Sequence, residues 1–246
     1  MGALIFSLLY YIFIVVAVAL FLLATLIVYP LTVPFDRSRR AVHAISRGIS
    51  MIFFRSAPGW KTTTEGLENI DRNQRYVIVL NHRSMVDIPM LYWTPLNFRW
   101  VARDTLKTMP LIGQYMMLHG DILIPRDKPR KAIQMVRDDG RKWLMERNTC
   151  IAIFPEGTRS KTGDIGLFKP TAFTLAQEAK AAILPVVLSG SDVIGRRMRL
   201  PWRHRFTVKV LPPVSAAEVA KRDPREIMDE TRTRMIAAKK IINNES

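Results

Sequence analysis

The chain has 246 residues and carries 37 basic side chains against 21 acidic ones, a formal net charge of +16. A surplus of that size calls for an anionic partner: a phosphorylated ligand, an acidic membrane surface or nucleic acid. A single cysteine, Cys150, excludes an intrachain disulfide and a cysteine-based metal cluster.

Charge is absent from the beginning of the chain, where the first charged side chain is Asp36. Residues 3–29 are almost continuously apolar. As a helix they would reach about 40 Å, longer than the ~30 Å hydrocarbon core of a bilayer. That is enough to cross with tilt, or to bend and stay within one leaflet. A cleaved signal peptide has a basic start and a shorter apolar stretch of roughly 7 to 15 residues. Neither is present, so a retained anchor is expected. Arg37, Arg39 and Arg40 follow the apolar run, with Arg47 and Arg55 close behind. No basic side chain precedes it, so the positive-inside rule places the remainder in the cytoplasm.

Three regions result: an anchor helix over 1–35, a basic amphipathic juxtamembrane segment over 36–60, and a folded domain over 61–246. In the second region Val42, Ile45, Ile49, Ile52 and Phe53 recur at helical spacing, with His43, Arg47 and Ser50 opposite. That pattern suits a helix lying on a headgroup layer, and equally a surface helix packed on the body. Gly48 is its weak point.

Tyr76–Leu80 is a short β-rich apolar run and reads as a buried strand. Ser84 can cap a helix starting near Met85, interrupted early by Pro89. Phe98–Ala102 and Asp121–Ile124 are further strand candidates. Asp127 can cap a helix with Ile133, Val136, Trp143 and Leu144 on its apolar face. Thr149–Phe154 reads as a strand, Thr171–Lys180 as a helix, and Ala182–Leu188 as a strand. Pro185 inside that last run argues for an edge position or a strand start. Phe206–Leu211 closes the strands. Asp223-Pro224-Arg225-Glu226 then opens a C-terminal helix with Ile227, Met235, Ile236 and Ile242. Alternating strands and helices predict an α/β fold, a mostly parallel central sheet flanked by helices, with an N-terminal membrane helix.

Two motifs follow strands, where such sheets place their sites. The first is Asn81-His82-Arg83-Ser84-Met85-Val86-Asp87. A neutral imidazole at His82 can accept a proton from a substrate hydroxyl near neutral pH. Asp87 lies five residues on, about 140° around a regular helix, so a straight helix would keep the two apart. A tight turn at Arg83-Ser84 would bring the carboxylate to the ring, to fix its tautomer and stabilise its protonated form. Ser84 to Asp87 also matches a capping box, in which the carboxylate only closes a helix start. The second motif is Phe154-Pro155-Glu156-Gly157-Thr158-Arg159-Ser160. Its Pro and Gly set a tight turn, Glu156 can accept from substrate hydroxyls, and Arg159 can fork onto a phosphate. A solvated polar turn explains any one of these residues equally well. Arg126, Arg103 and Lys107 add positive charge after other strands, and together with Arg159 could build one anion pocket. No serine elbow and no metal-ligand spacing is present, and Cys150 reads as a buried structural thiol.

These residues resemble the glycerolipid acyltransferase family, and most closely its 1-acyl-sn-glycerol-3-phosphate (lysophosphatidic acid) acyltransferases. Asn81-His82 to Asp87 matches its N-H-x-x-x-x-D block. Gly120 to Arg126 matches its second block, with Leu123 where phenylalanine is common. Phe154 to Ser160 matches its third in full. Ile183-Leu184-Pro185-Val186 matches its fourth. The resemblance covers roughly Tyr76 to Gly190 and makes 61–246 an acyltransferase domain. It implies that His82 is the general base and Asp87 its partner. It implies that Arg126, Glu156, Gly157, Thr158 and Arg159 hold the glycerol phosphate; assigning Arg103 and Lys107 to the same phosphate extends it.

The expected reaction moves a fatty acyl group to the sn-2 hydroxyl of lysophosphatidic acid and leaves phosphatidic acid. The resemblance implies acyl-CoA or acyl-carrier protein as donor substrate, with no separate cofactor and no metal. The expected partners are these two substrates and an anionic membrane, with no nucleic acid. Rival readings are acylation of glycerol 3-phosphate or another lysolipid, and a non-catalytic binder of anionic membranes or nucleic acid. Nucleic-acid readers usually add stacking aromatics or a recognisable module, and neither is seen.

Overall fold

The computed structural model describes residues 2–193 and 200–244. Among these residues seven strands form one sheet in the order β1-β7-β6-β2-β5-β3-β4. They are β1 (Trp60–Glu65), β2 (Tyr76–Leu80), β3 (Phe98–Arg103), β4 (Ile122–Ile124), β5 (Cys150–Ile153), β6 (Ala182–Ser189) and β7 (His204–Val210). Every pairing is parallel except β6 with β7. The carboxyl ends of β2, β3, β4, β5 and β6 therefore share one edge.

Among the described residues eight α-helices surround the sheet: α1 (Gly2–Thr32), α2 (Arg40–Arg55), α3 (Asp87–Met90), α4 (Ile112–His119), α5 (Pro129–Arg141), α6 (Thr171–Glu178), α7 (Ala216–Lys221) and α8 (Pro224–Asn244). The side chains of β2 alternate between two cores, as the pleat requires. Tyr76, Ile78 and Leu80 face Phe54, Met90 and Phe206. Val77 and Val79 face Phe173 of α6 and Met235 of α8. Both sheet faces are thus covered, which is why β2 reads as an unbroken apolar run.

The segment Leu4–Thr32 within α1 is long and apolar enough to cross a membrane. Leu8, Leu20 and Ile27 on it are exposed. Its other side lies along α2, where a Cβ on Gly48 would come within 2.9 Å of the Phe21 ring. Gly48 therefore serves the close approach of two helices, and α2 is continuous through it.

Four sequence expectations change. The face that α2 buries is Val42, His43, Ser46, Ser50 and Phe54, so His43 and Ser50 turn inward. Ser50 donates to the Pro89 carbonyl, and His43 joins a buried polar cluster. Second, β6 lies between β7 and β2 and is not an edge strand, despite Pro185. The Pro185 carbonyl accepts from Leu211 on the β7 side, while the paired β6–β7 register runs only from Val186. The missing N–H of Pro185 points to that same side, so its absence removes no bond to β2. Third, Asp127 does not cap α5; Lys128 stands at the cap, without a side-chain bond, and Pro129 begins the helix. Fourth, β1 is an additional strand; its Lys61, Thr62, Thr63 and Thr64 give no apolar run, as suits a sheet edge.

Beneath the α1–α2 junction lies an arginine with no counterpart in the sequence expectations. Arg99 of β3 is fully buried, and its guanidinium donates to the carbonyls of Ser38 and Arg39. It also lies 3.2 Å from His119, which is 2.7 Å from Asp121 and 3.2 Å from His43. Burial, aided by the Arg99 charge, holds His43 well below its ordinary 6.5 and also lowers His119. The unfolded chain would bind protons at these rings that the fold refuses. Their contribution to stability is complete above about pH 6.5 and is lost as pH falls below it. The thermal midpoint is expected to decline between about pH 7 and about pH 5.5, before ordinary carboxylates protonate; a flat midpoint over that range would contradict the cluster's role.

Candidate active site

The first motif leaves β2 at Leu80 and turns sharply. Asn81 is buried and continues the sheet with its side chain, donating to the Leu188 carbonyl at 3.0 Å and accepting from the Leu188 amide at 2.8 Å. Residues 83–86 form bends and turns, and α3 starts only at Asp87. This bend brings Asp87 Oδ2 to 2.8 Å from His82 Nδ1. The amides of Arg83 and Ser84 donate to the same oxygen at 2.6 and 2.8 Å. The two readings of Asp87 therefore coincide: one oxygen closes the turn and meets the imidazole. Asp87 is fully buried, and its Oδ1 has no hydrogen-bond partner.

His82 presents Nδ1 to Asp87, so Nε2 is its other ring nitrogen. The ring stacks on Phe154, with centroids 3.9 Å apart and planes 13° apart, and Phe154 stacks in turn on Trp100. This aromatic column fixes the ring plane and covers one face of the imidazole.

The second motif leaves β5 and comes directly against the first. The Glu156 carboxylate is 8% exposed, accepting from the His82 amide at 3.0 Å and from the Gly166 amide at 2.8 Å. The Ser160 amide donates to the His82 carbonyl at 2.8 Å, and Arg83 donates to the Ser160 carbonyl. Glu156 is thus a strut between motifs, with both carboxylate oxygens occupied by backbone amides. Gly157 takes φ +67°, which only glycine adopts without strain, and a Cβ there would lie 2.9 Å from Lys169 Nζ. Thr158 and Arg159 are exposed beside it. Lys169 has no place in the sequence expectations and Arg83 only one in the turn; both sit on irregular backbone, where no periodicity marks them.

Arg103, Lys107 and Arg126 lie at the same sheet edge and are exposed, but apart from His82. Two strands separate β4 from β2, an offset of about 14 Å. Cys150 is buried in β5 and its thiol is pushed up to about 12 by burial, so it supplies no nucleophile.

A family model described as Acyltransferase matches residues 61–189, just over half of the chain. The chain belongs to the acyltransferase family. It is 32% identical over 180 residues to a chloroplastic 1-acyl-sn-glycerol-3-phosphate acyltransferase of Arabidopsis thaliana, a match covering 72% of this chain and 49% of that protein. The 1-acyl-sn-glycerol-3-phosphate acyltransferase of Saccharomyces cerevisiae is 32% identical over 175 residues, covering 70% and 57%. The alpha form from Mus musculus is 30% identical over 181 residues, covering 72% and 63%. The chain spans about half the length of the curated relatives it matches first. The crystal structure of the 1-acyl-sn-glycerophosphate acyltransferase PlsC of Thermotoga maritima superposes with a TM-score of 0.79 at 20% identity, covering 98% of this chain and 96% of that one. That likeness establishes the fold. In this acyltransferase the matched region contains both motifs and every strand but β7, with β1 lacking only Trp60.

Proposed function

We propose that the protein transfers a fatty acyl group from a thioester donor to the sn-2 hydroxyl of 1-acyl-sn-glycerol 3-phosphate. The observation that supports this best is the His82–Asp87 pair, 2.8 Å apart at a strand end and braced by Glu156. His82 Nε2 takes the hydroxyl proton as the oxygen attacks the thioester carbonyl. The tetrahedral intermediate collapses, the carbon–sulfur bond breaks, and the imidazolium returns its proton to the departing thiolate. Asp87 holds Nδ1–H and stabilises the imidazolium between these steps. The substrate hydroxyl is itself the nucleophile in this reading, so the acyl group passes directly to the acceptor. The donor is acyl-CoA or acyl-carrier protein, and no further cofactor takes part.

The acceptor's phosphate belongs on the basic groups at the same edge: Arg159 with Thr158 and Gly157 on one side, and Arg126 with Arg103 and Lys107 on the other. A phosphate held by Arg126 would lie over the ends of β5 and β3. Arg126→Ala is then expected to raise KM for lysophosphatidic acid about tenfold, the loss of one charge-assisted bond, with donor KM unchanged. Equal effects on both substrates would remove Arg126 from the phosphate site. Membrane attachment through α1 and the arginines after it would keep the site on the cytoplasmic face, where the acceptor lipid is supplied from the bilayer.

Thiol release from acyl-CoA by purified protein, measured with and without lysophosphatidic acid, tests the activity. Release that depends on the lysolipid is expected. Release with glycerol 3-phosphate or another lysolipid alone would move the acceptor assignment, and no release with any pairing of acceptor and donor would leave a binding protein.

A further inference from the structure

The C-terminal helix α8 lies outside the region that the family model matches, yet it reaches the centre of the site. Lys239 Nζ donates to the Gly163 carbonyl at 2.6 Å. Arg232 donates to the carbonyls of Gly166 and Ile165 at 2.6 and 3.0 Å. These residues are seven apart on a regular helix, so they stand on one face about 10 Å from each other. That face is held in register by Met235, Ala238 and Ile242, all buried in the core beneath, and by a 3.1 Å bond between Asn243 and Ser189 of β6.

The carbonyls so held belong to the loop 160–166, which has no regular structure of its own. That loop supplies the Gly166 amide to Glu156 Oε2, and the other Glu156 oxygen accepts from the His82 amide. A Cβ on Gly166 would lie 3.0 Å from the carboxylate, so a side chain there would crowd the bond. A continuous chain therefore runs from α8 through the loop to Glu156 and on to the backbone of His82.

Charge points the same way. Asp87 and Glu156 are two buried carboxylates in one site, and Asp87 Oδ1 has no hydrogen-bond partner. Burial lowers the Lys239 ammonium, while Asp87 and Glu156 act on it in the opposite direction. Arg83 from the turn after β2 acts on the same ammonium in the lowering direction, and Asp164 of the loop adds a further carboxylate. Lys239 is thus a cation that α8 places in the field of both carboxylates.

We propose that Lys239 and Arg232 are positioning residues for catalysis, clamping the 160–166 loop so that Glu156 holds His82 in its working orientation. The kinetic part of this rests on the acyl-transfer reading; the clamp itself does not. The test uses the full chain in detergent or vesicles, with Lys239→Met, Lys239→Arg and Arg232→Met. Hydrogen–deuterium exchange over residues 160–168 reads the clamp without reference to activity. Faster exchange there in Lys239→Met and Arg232→Met, with the rest of the domain unchanged, is expected. With lysophosphatidic acid and acyl-CoA, Lys239→Met should lower kcat by about 10²-fold, as sub-ångström-to-ångström misplacement does. Donor KM should stay within about twofold, since the donor is not held by this loop in the proposed arrangement. Lys239→Arg, which keeps the charge and a donor, should recover most of the lost rate.

Unchanged exchange in the loop for either methionine variant that folds overturns the clamp. Unfolding of both, with Lys239→Arg no better, shows a purely structural role and overturns it also. Loosened exchange with full kcat in an active protein overturns the catalytic part alone. An inactive wild type with a loosened loop in the variants overturns the acceptor and donor assignment and leaves the clamp standing.

Discussion

His82→Ala is expected to abolish acyl transfer while leaving the protein folded. General-base catalysis contributes about 10² to 10⁴-fold in rate, and in the proposed mechanism that role falls to His82 alone. The fold should survive because the bonds that His82 makes to the second motif are backbone bonds. Its amide donates to Glu156 and its carbonyl accepts from Ser160, and alanine keeps both. What is lost is the stacking on Phe154 and the bond to Asp87. The variant should show turnover reduced by at least about 10²-fold at saturating donor and acceptor, with little change in the thermal midpoint. Near-wild-type turnover would sink the general-base mechanism. A collapsed thermal midpoint would instead make His82 a structural residue.

The sheet was legible because parallel strands buried on both faces read as apolar runs. β2 fell on its predicted bounds, and β3, β4, β5 and β6 within a residue or two of theirs. The strand that escaped, β1, is polar and threonine-rich, and it forms only by pairing with β7 far along the chain. Pro185 misled for a local reason: a residue rule about missing N–H groups cannot show which side of the strand the N–H would face. The inward turn of His43 and Ser50 was hidden for the opposite reason. Helical periodicity assigns polar residues to the outside, and here their partners, His119 and the Pro89 carbonyl, lie on other elements.

The site divides the same way. The two motifs were visible as residue types after strands, and the bend needed to join His82 to Asp87 followed from helix geometry alone. The identity of Glu156 as a brace did not, because its partners are the amides of His82 and Gly166, and backbone amides carry no sequence signal. The α8 clamp was equally silent. Lys239 and Arg232 bond to carbonyls more than 60 residues away, at separations of 76 and 66, and read in sequence as the solvated face of an ordinary helix.

The second large effect is expected at Asp87, where two variants separate charge from geometry. Oδ2 accepts from the His82 ring, the Arg83 amide and the Ser84 amide. In Asp87→Asn the side-chain oxygen can occupy that position and accept from the same three donors. Its amide nitrogen then falls where Oδ1 has no partner, so nothing in the turn is broken. The negative charge is gone, and with it the stabilisation of the imidazolium that forms as the hydroxyl proton leaves. Turnover is expected to fall by about 10²-fold or more, with a modest change in thermal midpoint. Asp87→Ala removes the acceptor as well. Two backbone amides lose their partner in a part-buried turn, at a cost of up to about 1–3 kcal/mol each, and the ring is free to rotate on Phe154. This variant should lose both activity and stability. If Asp87→Asn retains full turnover while Asp87→Ala unfolds, Asp87 serves only to close the turn, and His82 works without an acidic partner.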